Sequence, residues 1–532
     1  MPEEENSDLV SLTIDGVEVQ VSEDSTVIEA AEKAGVVVPH YCYHPGIPTR
    51  PAQCRVCLVE VEGQDKLQPS CKLPVQDGME VHTDSDDAEL ARKSVIEFLL
   101  VNHPLDCPIC DAAGQCMLQD YAFETGQLQS RLNEEKLVMG RDRIADDILY
   151  FADRCIICTR CVRFMREVAQ DDSLVVAQRG DRAYIDTFPD EDLDNPFQGN
   201  IVDVCPVGAL VHEDYLFKAR AWDMDKTPSI CPGCSNGCNV TLDTKENQIV
   251  RLKPRYNGEV NSYWMCDYGR KHLVMGNRGV RTEVPLVRQG GELEPMDWSD
   301  ALAAVGERLG GIEGGSAVVS PDACNESLHY FRRLLDTLGV PADAGSYRVE
   351  QGEEHTLPGF PKLTLREDRA ANGTGADLFG FRRVESWPEP EPGAPLFVLQ
   401  ETLREAPESY AEDASFFLYL GSHLSPAARR ADAVLPVTTF AEMAGTFTNH
   451  EGRVQRFQKA LQPPGIARPA WMVLSGLLAR SGDGSPVLDA ADAFGEMTDE
   501  RPEMAVLNWG RVGLKGQTLD SGAGAEAGAG AR

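Results

Sequence analysis

Basic residues are scarce in this 532-residue chain: 50 Lys and Arg stand against 85 Asp and Glu, a formal net charge of −35. Such a surface repels phosphate backbones, which argues against nucleic-acid binding. A solvated acidic surface, of a kind that also suits high salt, is the plainest reading. Long hydrophobic runs are missing too. No stretch of 18 or more apolar residues occurs, so no transmembrane helix is expected. The opening MPEEENSDLV has neither the basic nor the apolar part of a signal peptide. These absences lead to the expectation of a reducing, cytoplasmic setting, where cysteines serve as metal ligands more readily than as disulfides. Dinucleotide fingerprints are also lacking. Gly310-Gly311-Ile312-Glu313-Gly314-Gly315 does not follow G-x-G-x-x-G, and Gly373-x-Gly375 has no third glycine, so both read as loops.

What is present is unevenly placed. Of 16 cysteines, all but Cys324 lie between Cys42 and Cys266. Scattered structural cysteines would not stop halfway along a chain. With His103 added, the candidates form four groups of four ligands. A chain of this length is expected to fold as two to five domains.

The first group is Cys42-x11-Cys54-x2-Cys57-x13-Cys71. Before it, SLTIDGVEVQV reads as two strands about an Asp15-Gly16 turn. TVIEAAEKAG reads as a helix with a Thr26/Glu29 capping box and a stop at Gly35. Plant-type [2Fe–2S] ferredoxins begin in this order, although the cysteine spacing departs from C-x4-C-x2-C. Zinc remains an alternative from this group alone.

The second group, in NHPLDCPICDAAGQC, is His103, Cys107, Cys110 and Cys116. Three thiolates within ten residues can hold three corners of a cubane, and His103 is placed for the fourth. The third group opens as Cys155-x2-Cys158-x2-Cys161 and closes with Cys205-Pro206. In a two-cluster ferredoxin each C-x2-C-x2-C-x3-C-P run lends its fourth cysteine to the other cluster. Projected here, the second cluster would fall on Met165, Asn195, Gln198 and Ile201, none of them cysteine. One complete [4Fe–4S] site is left. The fourth group is Cys231-x2-Cys234-x3-Cys238-x27-Cys266, with Gly233 and Gly237 allowing a tight loop. Alone it could be a zinc ribbon; after three iron–sulfur groups, a [4Fe–4S] cluster is the better reading.

CYHPGIPTRPAQCRVCLVEVEG (42–63), NHPLDCPICDAAGQC, and then the triplet with Cys-Pro resemble the large iron–sulfur subunit of respiratory NADH:quinone oxidoreductase, complex I, over about residues 10–290. VLPVTTFAEMAGTFTNHEGRVQ (434–455) is similar to the closing region of the molybdopterin oxidoreductase fold, which that subunit carries in degenerate form. The resemblance implies an electron-transfer subunit holding one [2Fe–2S] and three [4Fe–4S] clusters. Electrons would pass from a flavin subunit that oxidises NADH toward quinone, with the second and third groups as transit cubanes. The Cys231 group, found only in some lineages, would be structural. Partners would be other peripheral-arm subunits, at the cytoplasmic face of the inner (plasma) membrane, with no NADH or quinone site on this chain.

From about residue 285 the ligands vanish and Pro/Gly-rich links such as SWPEPEPGAP appear. WSDALAAVGERLGG reads as an amphipathic helix, and SAVVSP, PLFVLQ and ASFFLYLG as buried strands, so an α/β region is expected. A pterin-binding relative would need a metal-ligating residue near Tyr347–Glu350, where no cysteine occurs; Cys324 sits in a segment resembling a helix start. No molybdopterin is therefore expected. The whole reads as a multidomain α+β and α/β chain: a [2Fe–2S] ferredoxin-like domain (1–95), a one-His/three-Cys [4Fe–4S] domain (96–150), a ferredoxin-like [4Fe–4S] domain (151–225), a molybdopterin-oxidoreductase-type [4Fe–4S] domain (226–285), a shortened, degenerate molybdopterin-oxidoreductase-like α/β domain (286–510) and a disordered tail (511–532). Formate dehydrogenase or iron-only hydrogenase chains share such wiring. The former would keep both ferredoxin cubanes, and the latter would need further cysteines after residue 266. A zinc scaffold is disfavoured by the spacings of the second and third groups.

Overall fold

The computed structural model describes residues 9–126, 129–188, 193–276, 280–388 and 390–519. The acidic opening at 1–8, part of the Pro-rich link at 389 and the last residues of the tail, from 520, lie outside them. The chain divides into two compact units, residues 1–224 with 357–359, and residues 225–356 with 360–532.

The first unit begins with the expected hairpin. Strands β1 (Leu9–Ile14) and β2 (Val17–Ser22) pair antiparallel with Ile14 opposite Val17. Asp15 and Gly16 both take positive φ, 48° and 80°, the two left-handed positions a two-residue hairpin turn requires. Leu12, Ile14, Val19 and Val21 alternate into the core, so the period-2 pattern fixes the buried face. Helix α1 (Val27–Lys33) carries the predicted box: the Thr26 backbone N–H donates to Glu29 Oε2 at 2.8 Å. β3 (Leu58–Val61), β4 (Gln68–Pro69) and β5 (Glu80–His82) complete a sheet ordered β2-β1-β5-β3-β4. Its core includes Cys57 and Cys71.

Helix α2 (Asp86–Leu100) starts on the side chain of Ser85, with three acidic residues in its first turn, and delivers the chain to His103. Helix α3 (Met117–Glu124) starts directly at Cys116. Strands β6 (Arg141–Ala145) and β7 (Ile148–Phe151) precede Cys155. After them come the short helix α4 (Arg160–Arg163), strands β8 (Leu174–Ala177) and β9 (Tyr184–Thr187), helix α5 (Asn200–Val204) ending at Cys205, and strand β10 (Leu210–His212), which pairs with β7.

The second unit opens with an antiparallel meander, β11 (Asp225–Ile230), β12 (Asn239–Lys245) and β13 (Gln248–Pro254), followed by helix α6 (Asp267–Gly276). Then come β14 (Leu286–Gln289), β15 (Glu292–Pro295), helix α7 (Trp298–Leu309), β16 (Ser316–Val319), helix α8 (Asn325–Thr337), β17 (Gly345–Arg348), the small pair β18 (His355–Thr356) and β19 (Thr364–Leu365), helix α9 (Gly373–Leu378), β20 (Arg382–Val384), β21 (Leu396–Leu399), β22 (Phe417–Gly421) and β23 (Ala433–Pro436). The parallel strands stand in the order β20-β17-β16-β21-β22-β23, with β14 and β15 as an antiparallel edge. The order reverses between β16 and β21, the doubly wound arrangement. β21 and β22 are buried throughout, which is why they read as unbroken apolar runs.

Two expectations are corrected. Gly373-x-Gly375 is not a loop but the first turn of α9. A Cβ on Gly375 would lie 2.4 Å from Asn325 Oδ1, so this glycine serves close packing. The tail does not begin at 511 as a disordered segment. Trp509–Val512 is helical, and β26 (Gln517–Thr518) pairs with β25 (Arg453–Phe457), itself paired with β24 (Gly445–Thr448). Hydrogen bonding to a sheet edge orders residues whose composition alone looked featureless.

Candidate iron–sulfur sites

The first group is gathered in the loop after α1 and at the edge of the first sheet. Cys42, Cys57 and Cys71 are buried, and Cys54 is half-buried. Ala52 and Arg55 bracket Cys54 with left-handed backbone (φ 53° and 58°), which coils the loop inward. The sulfurs are close enough to share protons. Hydrogen bonds from Cys54 and Cys71 lower the pKa of Cys42, while the same contacts, with burial, raise Cys54 and Cys71. Peptide N–H groups of Gln53 and Cys54 also point at the Cys42 sulfur.

His103, Cys107, Cys110 and Cys116 line one small cavity together with Asp106, Gln119, Arg154 and Gly208. Burial, and then the charges of Lys136 and Arg154, pull His103 down to about 4, so its imidazole is neutral at pH 7 and keeps a lone pair to give. Cys155, Cys158, Cys161 and Cys205 line a second cavity, walled by Tyr150, Ile156, Ile185, Val207 and Leu210. Around Cys158 the β-branched residues Ile157 and Thr159 have φ of 49° and 60°. That conformation is strained for such side chains, and here it turns successive sulfurs inward. Burial raises the Cys155 thiol to about 11 and Cys158 to about 12. Such thiols are poor nucleophiles, as buried cysteines are in general.

Cys231, Cys234, Cys238 and Cys266 are all buried within the second unit. The Cys231 N–H donates to the Cys238 carbonyl at 2.8 Å, and Asn236 Nδ2 lies 3.3 Å from the Cys238 sulfur. A Cβ on Gly269 would stand 2.7 Å from the Cys231 sulfur, so the chain passes this sulfur at glycine distance. Cys324, outside the groups, precedes α8 as its N-cap, buried, with its sulfur 3.1 Å from Ser327 Oγ.

The donor sets fit clusters better than single ions. All sixteen cysteines are free thiols. Among the described residues, the set of metal-ligating atoms that fits within 4.8 Å of one another is Glu62, Glu80 and His82, and no cysteine group does so. A tetrahedral zinc with Zn–S of about 2.3 Å would hold its sulfurs roughly 3.8 Å apart. The Cys-x2-Cys-x2-Cys run closed by a distant Cys-Pro suits a cubane rather than the paired spacing of zinc. Peptide N–H groups aimed at the sulfurs, such as Ile157 to Cys155 at 3.4 Å, stabilise the added negative charge.

Several functional residues carried no spacing signal. Tyr150 lines the Cys155 cavity and accepts from the Ile185 N–H at 3.1 Å. Arg154 pairs with Asp106 at 2.8 Å beside the second cavity. Gly208 passes the Cys110 sulfur so closely that a Cβ would lie 2.2 Å from it. Met165, Gln198 and Ile201, at the vacant ferredoxin positions, are buried, and Asn195 donates to Asp171 at 3.0 Å. Packing fills what a second cubane would occupy.

Ferredoxin-type thiolate sites in the first unit, and a doubly wound domain behind a fourth cysteine group in the second, define an iron–sulfur protein of the oxidoreductase class. Family models agree segment by segment: a 2Fe-2S iron-sulfur cluster binding domain at 7–86, an NADH-ubiquinone oxidoreductase-G iron-sulfur binding region at 92–131, an NADH-quinone oxidoreductase subunit 3 ferredoxin-like domain at 146–211, a molybdopterin oxidoreductase Fe4S4 domain at 224–277, and a molybdopterin oxidoreductase domain at 393–480. The 78 kDa subunit of mitochondrial NADH-ubiquinone oxidoreductase from Neurospora crassa is 31% identical, over 93% of this chain and 84% of that protein. The corresponding NADH-quinone oxidoreductase subunit of Rickettsia felis is 38% identical, over 64% of this chain and 50% of that protein. A solved structure of an NAD+-reducing [NiFe]-hydrogenase aligns at 30% identity over 40% of this chain and 90% of that one, with a TM-score of 0.36. The chain belongs to the family of the 78 kDa-type iron–sulfur subunit of complex I. It spans about half the length of the Rickettsia relatives it matches.

Proposed function

We propose that this chain is an electron-relay subunit of an NADH:quinone oxidoreductase of the complex I type. In this reading Cys42, Cys54, Cys57 and Cys71 hold a [2Fe–2S] cluster. His103, Cys107, Cys110 and Cys116; Cys155, Cys158, Cys161 and Cys205; and Cys231, Cys234, Cys238 and Cys266 each hold a [4Fe–4S] cluster. Such clusters, when bound, supply reversible one-electron storage. The chain's own residues provide the rest. Peptide N–H groups and Tyr150 stabilise the thiolates, the neutral His103 imidazole makes its site less negative than four thiolates would, and apolar walls keep water from the Cys155 cavity.

The division at residues 95, 150, 225, 285 and 510 belongs to the same proposal. So do the partners, namely a flavin-bearing subunit that oxidises NADH and quinone-proximal iron–sulfur subunits, and a peripheral place on the cytoplasmic membrane face. Among the described residues no helix is long and apolar enough to cross a membrane. This reading assigns no substrate chemistry to the chain; Cys324, outside the four groups, is buried with its sulfur 3.1 Å from Ser327 Oγ.

The observation that carries the reading is the gathering of candidate ligands around common cavities, His103, Cys107, Cys110 and Cys116 around one and Cys155, Cys158, Cys161 and Cys205 around another. Metal and acid-labile sulfide analysis of the full chain purified without oxygen tests it. About fourteen irons per chain, with little zinc, is the expected result; a colourless, zinc-loaded protein ends the proposal.

A further inference from the structure

Three of the ligand groups meet at one side chain. Arg160 stands between Cys158 and Cys161 in the sequence and is 5% exposed. Its Nη2 donates to the carbonyl of Tyr43, the residue after Cys42, at 2.5 Å. Its Nη1 donates to the carbonyl of Val204, the residue before Cys205, at 3.3 Å. The same nitrogen lies 3.8 Å from Sδ of Met117, the residue after Cys116. Arg160 is also among the residues lining the Cys155 cavity.

Its charge is not balanced in the usual way. Arg154 has Asp106, but Arg160 makes no ion pair with a carboxylate among the described residues; its hydrogen-bond partners are two carbonyls and a thioether. A guanidinium does not shed its proton in a protein, and burying it without a counter-charge is strongly unfavourable. The ionisable groups near it include the sulfurs of Cys158, Cys205 and Cys42, a second buried guanidinium, Arg163, and the side chains of His40, His44 and Tyr121. Arg163 repeats the pattern, donating to the carbonyls of Thr49 and Cys42.

We propose that Arg160 is a positioning residue whose buried charge is shared as counter-ion by the Cys42 and Cys155 sites and, more weakly through Met117, by the His103 site. This rests on the reading that those sites hold iron–sulfur clusters. A fixed positive charge favours the form carrying the extra electron, so Arg160 raises the potentials of its neighbours. The effect falls on both the Cys155 and the Cys42 sites and is least for the His103 site, whose contact is the longest.

The test is redox-titrated EPR of the cluster-loaded full chain carrying Arg160→Gln or Arg160→Lys. The glutamine variant is expected to shift the Cys155-site and Cys42-site midpoints to more negative values, and lysine, which keeps the charge, to restore most of the shift. Unmoved midpoints in a loaded glutamine variant overturn the proposal. If the neutral variant does not load, the lysine variant decides alone. Midpoints near wild type with a lower melting temperature support the shared charge, and midpoints that fall with lysine refute it. A wild-type chain without iron and sulfide would instead sink the underlying functional reading. Normal EPR signals with immobile midpoints sink only the role of Arg160.

Discussion

His103 shows how one side chain sets the character of a site. Its imidazole is held neutral because burial, Lys136 and Arg154 all oppose protonation. Replacing His103 with Cys puts an anion where a neutral ligand stood, and an added negative charge disfavours reduction. The midpoint of that site is expected to fall, read by redox-titrated EPR; an unchanged or higher midpoint would count against ligation by His103. At this scale the sequence points to candidate ligands, because cysteines and His103 cluster at characteristic spacings. It was silent about the residues that tune them. Tyr150 and Arg154 reach their sites across turns of backbone, and Arg160 reaches Tyr43 from 117 residues away. No local pattern encodes such a meeting.

Among the elements, the passage of Gly208 beside Cys110 makes a sharp demand. No positive φ is required there, so an added methyl meets only a steric barrier, 2.2 Å from the Cys110 sulfur and 3.1 Å from Ala112 Cβ. An unligated cysteine could swing aside, but one fixed by a cluster could not. Gly208→Ala is therefore expected to lose the His103-site cluster, about four of roughly fourteen irons, while the other EPR signals persist. Retention of the full iron content would refute this close-packing account. Local rules found many of the elements. The Asp15-Gly16 hairpin, the Thr26/Glu29 box, α7 and the apolar strands β16, β21 and β22 each carry their signal within a few residues. They failed where tertiary contacts decide. Position 375 needs a glycine because Asn325 and Asn372 crowd it, and Gln517–Thr518 is a strand because β25 offers an edge.

For the molecule as a whole, the two compact units divide the sites unequally, with three ligand groups in the first and the Cys231 group in the second. Asn239, close in sequence to Cys238, donates to the Leu514 carbonyl at 2.8 Å, and Gln455 donates to the Gly237 carbonyl at 2.9 Å, so the fourth loop is stitched to distant parts of its own unit. Replacing Cys231, Cys234, Cys238 and Cys266 with Ser is expected to lower the melting temperature and yield of the chain while leaving the first unit's EPR signals intact. Stable, fully assembled mutant enzyme that cannot reduce quinone would show instead that this group carries traffic. The left-handed turns at Ile157 and Thr159 bear on how the Cys155 loop is held. Each strained residue costs about 1–3 kcal/mol. Relaxing either turn would recover that cost but would swing the intervening Cys158 away from Cys155 and Cys161, so the packing around the loop must outweigh it.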